Sequence, residues 1–204
     1  MIIDLDYHLT EQAFIKLGVQ DFNSHFNQLK QTTLFDDFDR GKISEGEFRN
    51  LLNQQLKTQF SDEQINGAWN AMLLGIEEKK FRILRKLYPD FKTYLLSNTN
   101  IIHLKWITQY LIRMYGRPSL DSLFDKVYYS FVVGQRKPDP EIFLKVIDDN
   151  NLKPAETLFI DDNPENIAAA KKLGLRAELF IPSQDLELFL EKHLHFSFSE
   201  EPLA

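Results

Sequence analysis

At 204 residues the chain has room for one good-sized domain, or for a core with a small accessory domain. It has no cysteine, which excludes disulfides, zinc–thiolate sites and a cysteine nucleophile. A net charge of −6 argues against nonspecific binding to nucleic acid or anionic lipid, and no apolar run is long enough to span a bilayer.

Met1–Tyr7 carries two acids and breaks into helix, unlike a signal peptide, and the lack of cysteine makes a reducing cytoplasm the expected location. Met1-Ile2-Ile3 reads as the end of a strand, too short to cross a sheet. A helical pattern begins at Thr10, carries Ala13, Phe14 and Leu17 on one face, and stops at Gly18. From about Asp21 to Ile76 the pattern is helical throughout. Phe22, Phe26 and Leu29 share one face, as do Phe48, Leu51, Leu52 and Leu56. Ser44 with Glu47, and Ser61 with Gln64, are capping boxes opening two of these helices. Phe35-Asp36-Asp37-Phe38-Asp39-Arg40 reads as a solvated turn, with a substrate-facing loop as the alternative.

From Lys79 the texture becomes alternating strand and helix. Glu78–Leu87 is expected as a helix and Thr93–Leu96 as a buried strand ending in Ser97-Asn98-Thr99-Asn100. Ile101–Tyr115 is an amphipathic helix closed by Gly116. Lys126–Ser130 is a short strand leading to Gln135-Arg136-Lys137-Pro138-Asp139-Pro140, and Pro140 suits the first turn of the next helix, Glu141–Asn150. Thr157–Ile160 is a strand running into Asp161-Asp162, followed by a helix ending at Gly174. A strand over Arg176–Phe180 and a helix over Ser183–His193 complete the pattern, with a frayed tail from Phe196. Such alternation means an α/β fold, a Rossmann-like parallel sheet with helices on both faces, plus an inserted helical unit. The expected division is 1–8 as core entry, 9–77 helical insert, 78–195 α/β core and 196–204 tail.

Chemistry in such a sheet gathers beyond the carboxyl ends of the strands. Ser97 and Asn98 offer a hydroxyl and an amide beside helix-start N–H groups, an arrangement that cradles a phosphate or merely caps the helix. Lys137 offers a cation in a rigid turn, or only a surface charge. Asp161 and Asp162 either cap the following helix or hold a hard cation such as Mg²⁺. Cation, hydroxyl and paired carboxylates together are what phosphoryl transfer requires around a substrate phosphate. Trp69, Trp106 and the phenylalanines at helical spacing read as core. His193 and His195 read as exposed, and His103 has only a small claim on the pocket.

The segments LLSNTN, GQRKPDPEIF and TLFIDDNPENI resemble the second, third and fourth motifs of the haloacid dehalogenase (HAD) superfamily. The likeness is to its phosphatase-like subgroup, which inserts a helical cap after the first motif, and it extends over essentially the whole chain. It implies that Ser97 holds the phosphoryl oxygen and Lys137 neutralises phosphate and nucleophile. Asn98 joins them in phosphate binding. Asp162 ligates Mg²⁺, with Asp161 beside it in direct contact or one layer out. A small phosphorylated metabolite is the implied substrate, hydrolysed through an aspartyl-phosphate.

The first motif departs from the pattern. The family's first strand is apolar and ends in a nucleophilic Asp, needed to take the phosphoryl group before water does. Asp4-Leu5-Asp6 has the right spacing, but only three residues precede it and Tyr7-His8 stand where small turn-formers belong. The favoured register puts strand, Gly-Gly turn and nucleophile upstream of Met1, with Asp4 and Asp6 as linker or cap-entrance residues. Asp4 is the less favoured nucleophile. That strand lies between those carrying the second and fourth motifs, and losing it would leave unpaired buried backbone at roughly 1–3 kcal/mol per group. The expectation is therefore a phosphatase whose chain, as given, is inactive or weak. The alternatives are a non-catalytic phosphate- and metal-binding protein and, less favoured, a dehalogenase.

Overall fold

The computed structural model describes residues 2–20, 22 and 33–198. The expected pattern at Phe26 and Leu29 lies outside them. No described helix is long and apolar enough to cross a membrane.

The chain opens with β1 (Asp4–Leu5) and α1 (Tyr7–Lys16). The helix starts three residues before the expected Thr10, because the Asp6 carboxylate accepts the His8 N–H and caps it. Helices α2 (Leu34–Asp39), α3 (Glu45–Leu56) and α4 (Asp62–Asn70) follow. Both capping boxes form, Ser44 with Glu47 and Ser61 with Gln64. Phe14, Phe38, Phe48, Leu52 and Ile65 are sealed in the core of this helical unit, and Ile102 joins them from the α/β side.

Two expectations fail here. The acidic stretch is helix rather than turn as far as Asp39, since Leu34 and Phe38, one turn apart, are both buried and anchor it. The region to Ile76 is also not wholly helical: β2 (Leu73–Gly75) pairs antiparallel with β1, Asp4 opposite Gly75 and Leu5 opposite Leu73. Three residues are too few for an alternating pattern to show in sequence. Gly75 has φ +110°, and a Cβ there would fall 2.4 Å from the Tyr110 hydroxyl, so the backbone geometry and the close approach both require glycine.

Then come α5 (Glu78–Leu87), β3 (Tyr94–Ser97), α6 (Ile101–Tyr115), β4 (Lys126–Tyr129), α7 (Ser130–Val133) and α8 (Pro140–Asp149). They are followed by β5 (Leu158–Asp161), α9 (Pro164–Lys172), β6 (Arg176–Leu179) and α10 (Leu186–Leu194). From Lys79 onward the expected elements are present, with ends moved by no more than three residues. β3 pairs parallel with β4, from Tyr94 opposite Lys126 to Ser97 opposite Tyr129. β5 pairs parallel with β6, from Leu158 opposite Arg176 to Asp161 opposite Leu179. Among the described residues the two pairs are not joined to one another. Tyr94, Leu95 and Leu96 of β3 and Leu158, Phe159 and Ile160 of β5 are accordingly only half-buried.

The first residues of the tail, 196–198, are packed rather than frayed. Phe196 packs edge-on against Phe91, Phe198 is buried, and Lys86 Nζ donates to the Phe198 carbonyl at 2.8 Å. His193 is half-buried against the Phe189 ring at 4.5 Å rather than exposed, whereas His195 is exposed. An aromatic pair in a short polar tail finds an apolar groove that no local pattern announces.

Candidate active site

Four sequence-selected groups meet at the carboxyl ends of β3 and β5. Ser97 and Asn98 end β3, Lys137 lies in the turn between α7 and α8, and Asp161 ends β5. Lys137 Nζ donates to Asp161 Oδ2 at 2.6 Å and to the Leu96 carbonyl at 2.8 Å. One ammonium thus bridges the ends of two strands that share no backbone hydrogen bonds. Both partners are buried, Lys137 to 8% and Asp161 to 6% exposure.

The other Asp161 oxygen accepts the Asn163 N–H at 2.8 Å and Asn166 Nδ2 at 2.9 Å. Burial pushes the Asp161 carboxyl up, but the Lys137 charge and these hydrogen bonds outweigh it and hold the group below the usual carboxylate range. Asn166 was not singled out from sequence. It lies one helical turn past Asp162, and its own Oδ1 is buried without a partner among the described residues.

The N-cap of the following helix is not one of the acidic pair. The cap of α9 is Asn163, whose side chain accepts the Glu165 N–H at 2.8 Å. Asp161 is turned inward and Asp162 is exposed at the strand end.

Asn98 commits its amide to the Lys137 backbone: Oδ1 accepts the Lys137 N–H at 2.9 Å and Nδ2 donates to the Lys137 carbonyl at 2.8 Å. Beside it, Ser130 Oγ accepts the Thr99 N–H and donates to the Thr99 carbonyl, both at 2.9 Å. Two reciprocal pairs thus tie the loop after β3 to the segment carrying Lys137. Ser130, fully buried, carried no sequence signal, because the contact spans thirty-one residues. Asn100 caps α6 and also donates to Asp39 of α2 at 3.2 Å.

Asp4 is elsewhere engaged. Its carboxylate pairs with Lys80, while β1 pairs with β2. His103 is buried, holds Asn70 Oδ1 through Nδ1 at 2.8 Å and stacks on Trp69. Burial alone lowers its pKa to about 4.

A small metal ion of the Mg²⁺ type binds through one or two carboxylates and keeps several waters. Exposed Asp162 beside a committed Asp161 fits such a share of a site. Among the described residues, no three acidic or histidine side chains gather that could hold an ion by themselves.

The family model described as haloacid dehalogenase-like hydrolase matches residues 13–174. The chain belongs to this family. A relative of this HAD-like hydrolase is the D-ribitol-5-phosphate phosphatase of Bacteroides thetaiotaomicron, 36% identical over 89% of this chain and 87% of that protein. Among solved structures, a HAD family enzyme from the same bacterium superposes with TM-score 0.85 at 33% identity, covering 93% of each chain. That enzyme has also been solved as a magnesium complex, with TM-score 0.84 at 33% identity, covering 93% of this chain and 92% of that one. A predicted HAD-like family hydrolase from Porphyromonas gingivalis gives TM-score 0.85 at 34% identity, covering 96% of this chain and 94% of that one.

Proposed function

We propose that this HAD-like hydrolase is a Mg²⁺-dependent phosphatase of small phosphorylated metabolites, with phosphorylated polyols the first class to test. The observation that carries the reading is the buried Lys137–Asp161 pair spanning the ends of β3 and β5, with the Ser97 hydroxyl and Asp162 carboxylate beside it. The likeness to a ribitol phosphate phosphatase supports the substrate class.

In this reading Ser97 donates to a phosphoryl oxygen and Lys137 supplies the compensating cation. Asn98 fixes the Lys137 turn and lies within reach of the phosphate, while Asp161 orients the ammonium. Asp162 would hold Mg²⁺, with Asp161 and Asn166 behind it. When bound, the ion neutralises phosphate charge and orients the group for attack. Residues 9–77 form the cap over this site and 78–195 the core.

The nucleophile belongs to a strand filling the space between β3 and β5, and a chain without that strand is inactive or weak. The unjoined edges of these strands and their half-buried apolar residues support this. Asp4, held by Lys80, is poorly placed for the role. Transfer to that Asp and hydrolysis of the aspartyl-phosphate would follow.

The test compares this chain with one extended upstream, from its own gene, by about 15 residues, enough for one strand and a turn. Phosphate release from D-ribitol 5-phosphate and other sugar and polyol phosphates is measured with Mg²⁺ and with chelator. Turnover only in the extended chain, abolished by chelator, is expected. Equal turnover in both would sink the missing-strand reading. Phosphate binding without turnover in either would favour a binding protein, and chelator-insensitive halide release a dehalogenase.

A further inference from the structure

The turn that carries Lys137 is gripped from the cap side by charges of both signs. Arg136, immediately before Lys137, reaches Asp36 Oδ1 at 3.3 Å and Asp39 Oδ2 at 3.6 Å on α2. Asp139, two residues after Lys137, accepts from Arg40 Nη2 at 2.6 Å. Arg40 follows α2 directly and also donates through Nε to Asp36 at 2.6 Å. A core cation thus meets cap acids, and a core acid meets a cap cation, on either side of Lys137.

The backbone enforces the same approach. Gly41, φ +68°, sits so close to α7 that a Cβ there would lie 2.2 Å from the Phe131 carbonyl oxygen. Only glycine lets the end of α2 reach the segment leading into the Lys137 turn.

We infer that α2 and Arg40 position Lys137: the cap, when seated, holds the turn so that the ammonium stays on Asp161 and the Leu96 carbonyl. Arg40 and Asp36 are positioning residues that act through Asp139 and Arg136. The ion pairs are partly solvent-exposed, so they add little to global stability and can be released. The flat fork of Arg40 bridges Asp36 and Asp139 at once, a geometry a lysine does not reproduce. Functionally, the inference rests on the phosphatase reading, because it ties the cation expected to meet phosphate to the state of the cap.

The full chain carries its own control. Lys80 is, like Lys137, a buried lysine paired with one carboxylate, but its partner Asp4 lies in β1 rather than in the clamp. Acylation of individual lysines by acetic anhydride is followed by peptide mass spectrometry in the parent, Arg40→Gln, Asp139→Asn, the double variant and Gly41→Ala. Each single variant is expected to raise the Lys137 rate about three-fold or more and leave Lys80 unchanged. The double variant should match Arg40→Gln rather than multiply the two effects. Gly41→Ala, which removes no charge, should act in the same direction. Rates at Lys137 and Lys80 rising together would mean general loosening, and an unchanged Lys137 would mean no coupling; either overturns the inference. Orthophosphate binding in the presence of Mg²⁺, measured by calorimetry on the same proteins, tests the phosphatase reading separately. No binding by the parent counts against that reading, while the labelling still decides the clamp.

Discussion

The helical unit and the sheet of this chain solve the burial problem with unequal success. In the helical unit Phe48 and Ile65 are fully sealed, Phe38 stacks on Phe48 at 4.1 Å, and Phe35, Trp69 and His103 lie in nearly parallel planes. In the sheet, β3 and β5 each have one strand partner and leave apolar residues half-exposed. The difference is one of backbone chemistry. A helix satisfies its interior N–H and C=O groups within itself and asks its neighbours only for side-chain contact. A strand has two edges, and an unpaired one remains a demand on whatever lies beside it. Lys137 meets part of that demand here by donating to the Leu96 carbonyl.

The comparison breaks most sharply at Lys137. Lys137→Met leaves Asp161 buried without its cation and should lower stability by about 3–5 kcal/mol in denaturant unfolding. A loss under 1 kcal/mol would show that the ion pair does not join the two halves of the sheet.

His103 sharpens the comparison from the helical side, at the seam between the two units. Its pKa in the folded chain is about 4, against 6.5 without burial. Between those values the unfolded chain takes up a proton that the folded one refuses. The His103 contribution is therefore complete above about pH 6.5, declines as pH falls toward 4, and is constant below. An interval of about 2.5 pH, at 1.36 kcal/mol each, bounds it at about 3 kcal/mol. His103→Gln should flatten the stability profile in that window relative to the parent, and parallel profiles would rule the assignment out.

The smallest effect is local to the helical unit. Ser44→Ala removes half of the capping box of α3 and should cost about 1 kcal/mol. Thermal unfolding of the variant should shift down by a few degrees, and an unchanged midpoint would mean that packing at Phe48 and Leu52 alone holds the helix.

Much of this was legible in order along the chain because the signals are local. Apolar spacing, capping boxes and Gly116 marked α3, α4 and α6 to within a residue or two. Ser97, Lys137 and Asp161 could be selected as site residues because strand ends in an α/β fold are where polar groups have work to do. What local pattern could not show was any role that depends on a distant partner. That Asn163 rather than Asp161 caps α9, that Asn98 holds the Lys137 backbone, and that Ser130 locks Thr99 are facts of three-dimensional adjacency. The stretch at 35–40 misled for the same reason: its acids look solvated in sequence, yet Asp36 and Asp39 face Arg136. Residue type and spacing by themselves determined the α/β class, the helical unit and the chemistry on offer, because backbone geometry and side-chain chemistry act within a few residues. Only the tertiary structure decided which groups meet and which strand edges stay open, because charge pairing and strand pairing act between segments far apart in the chain.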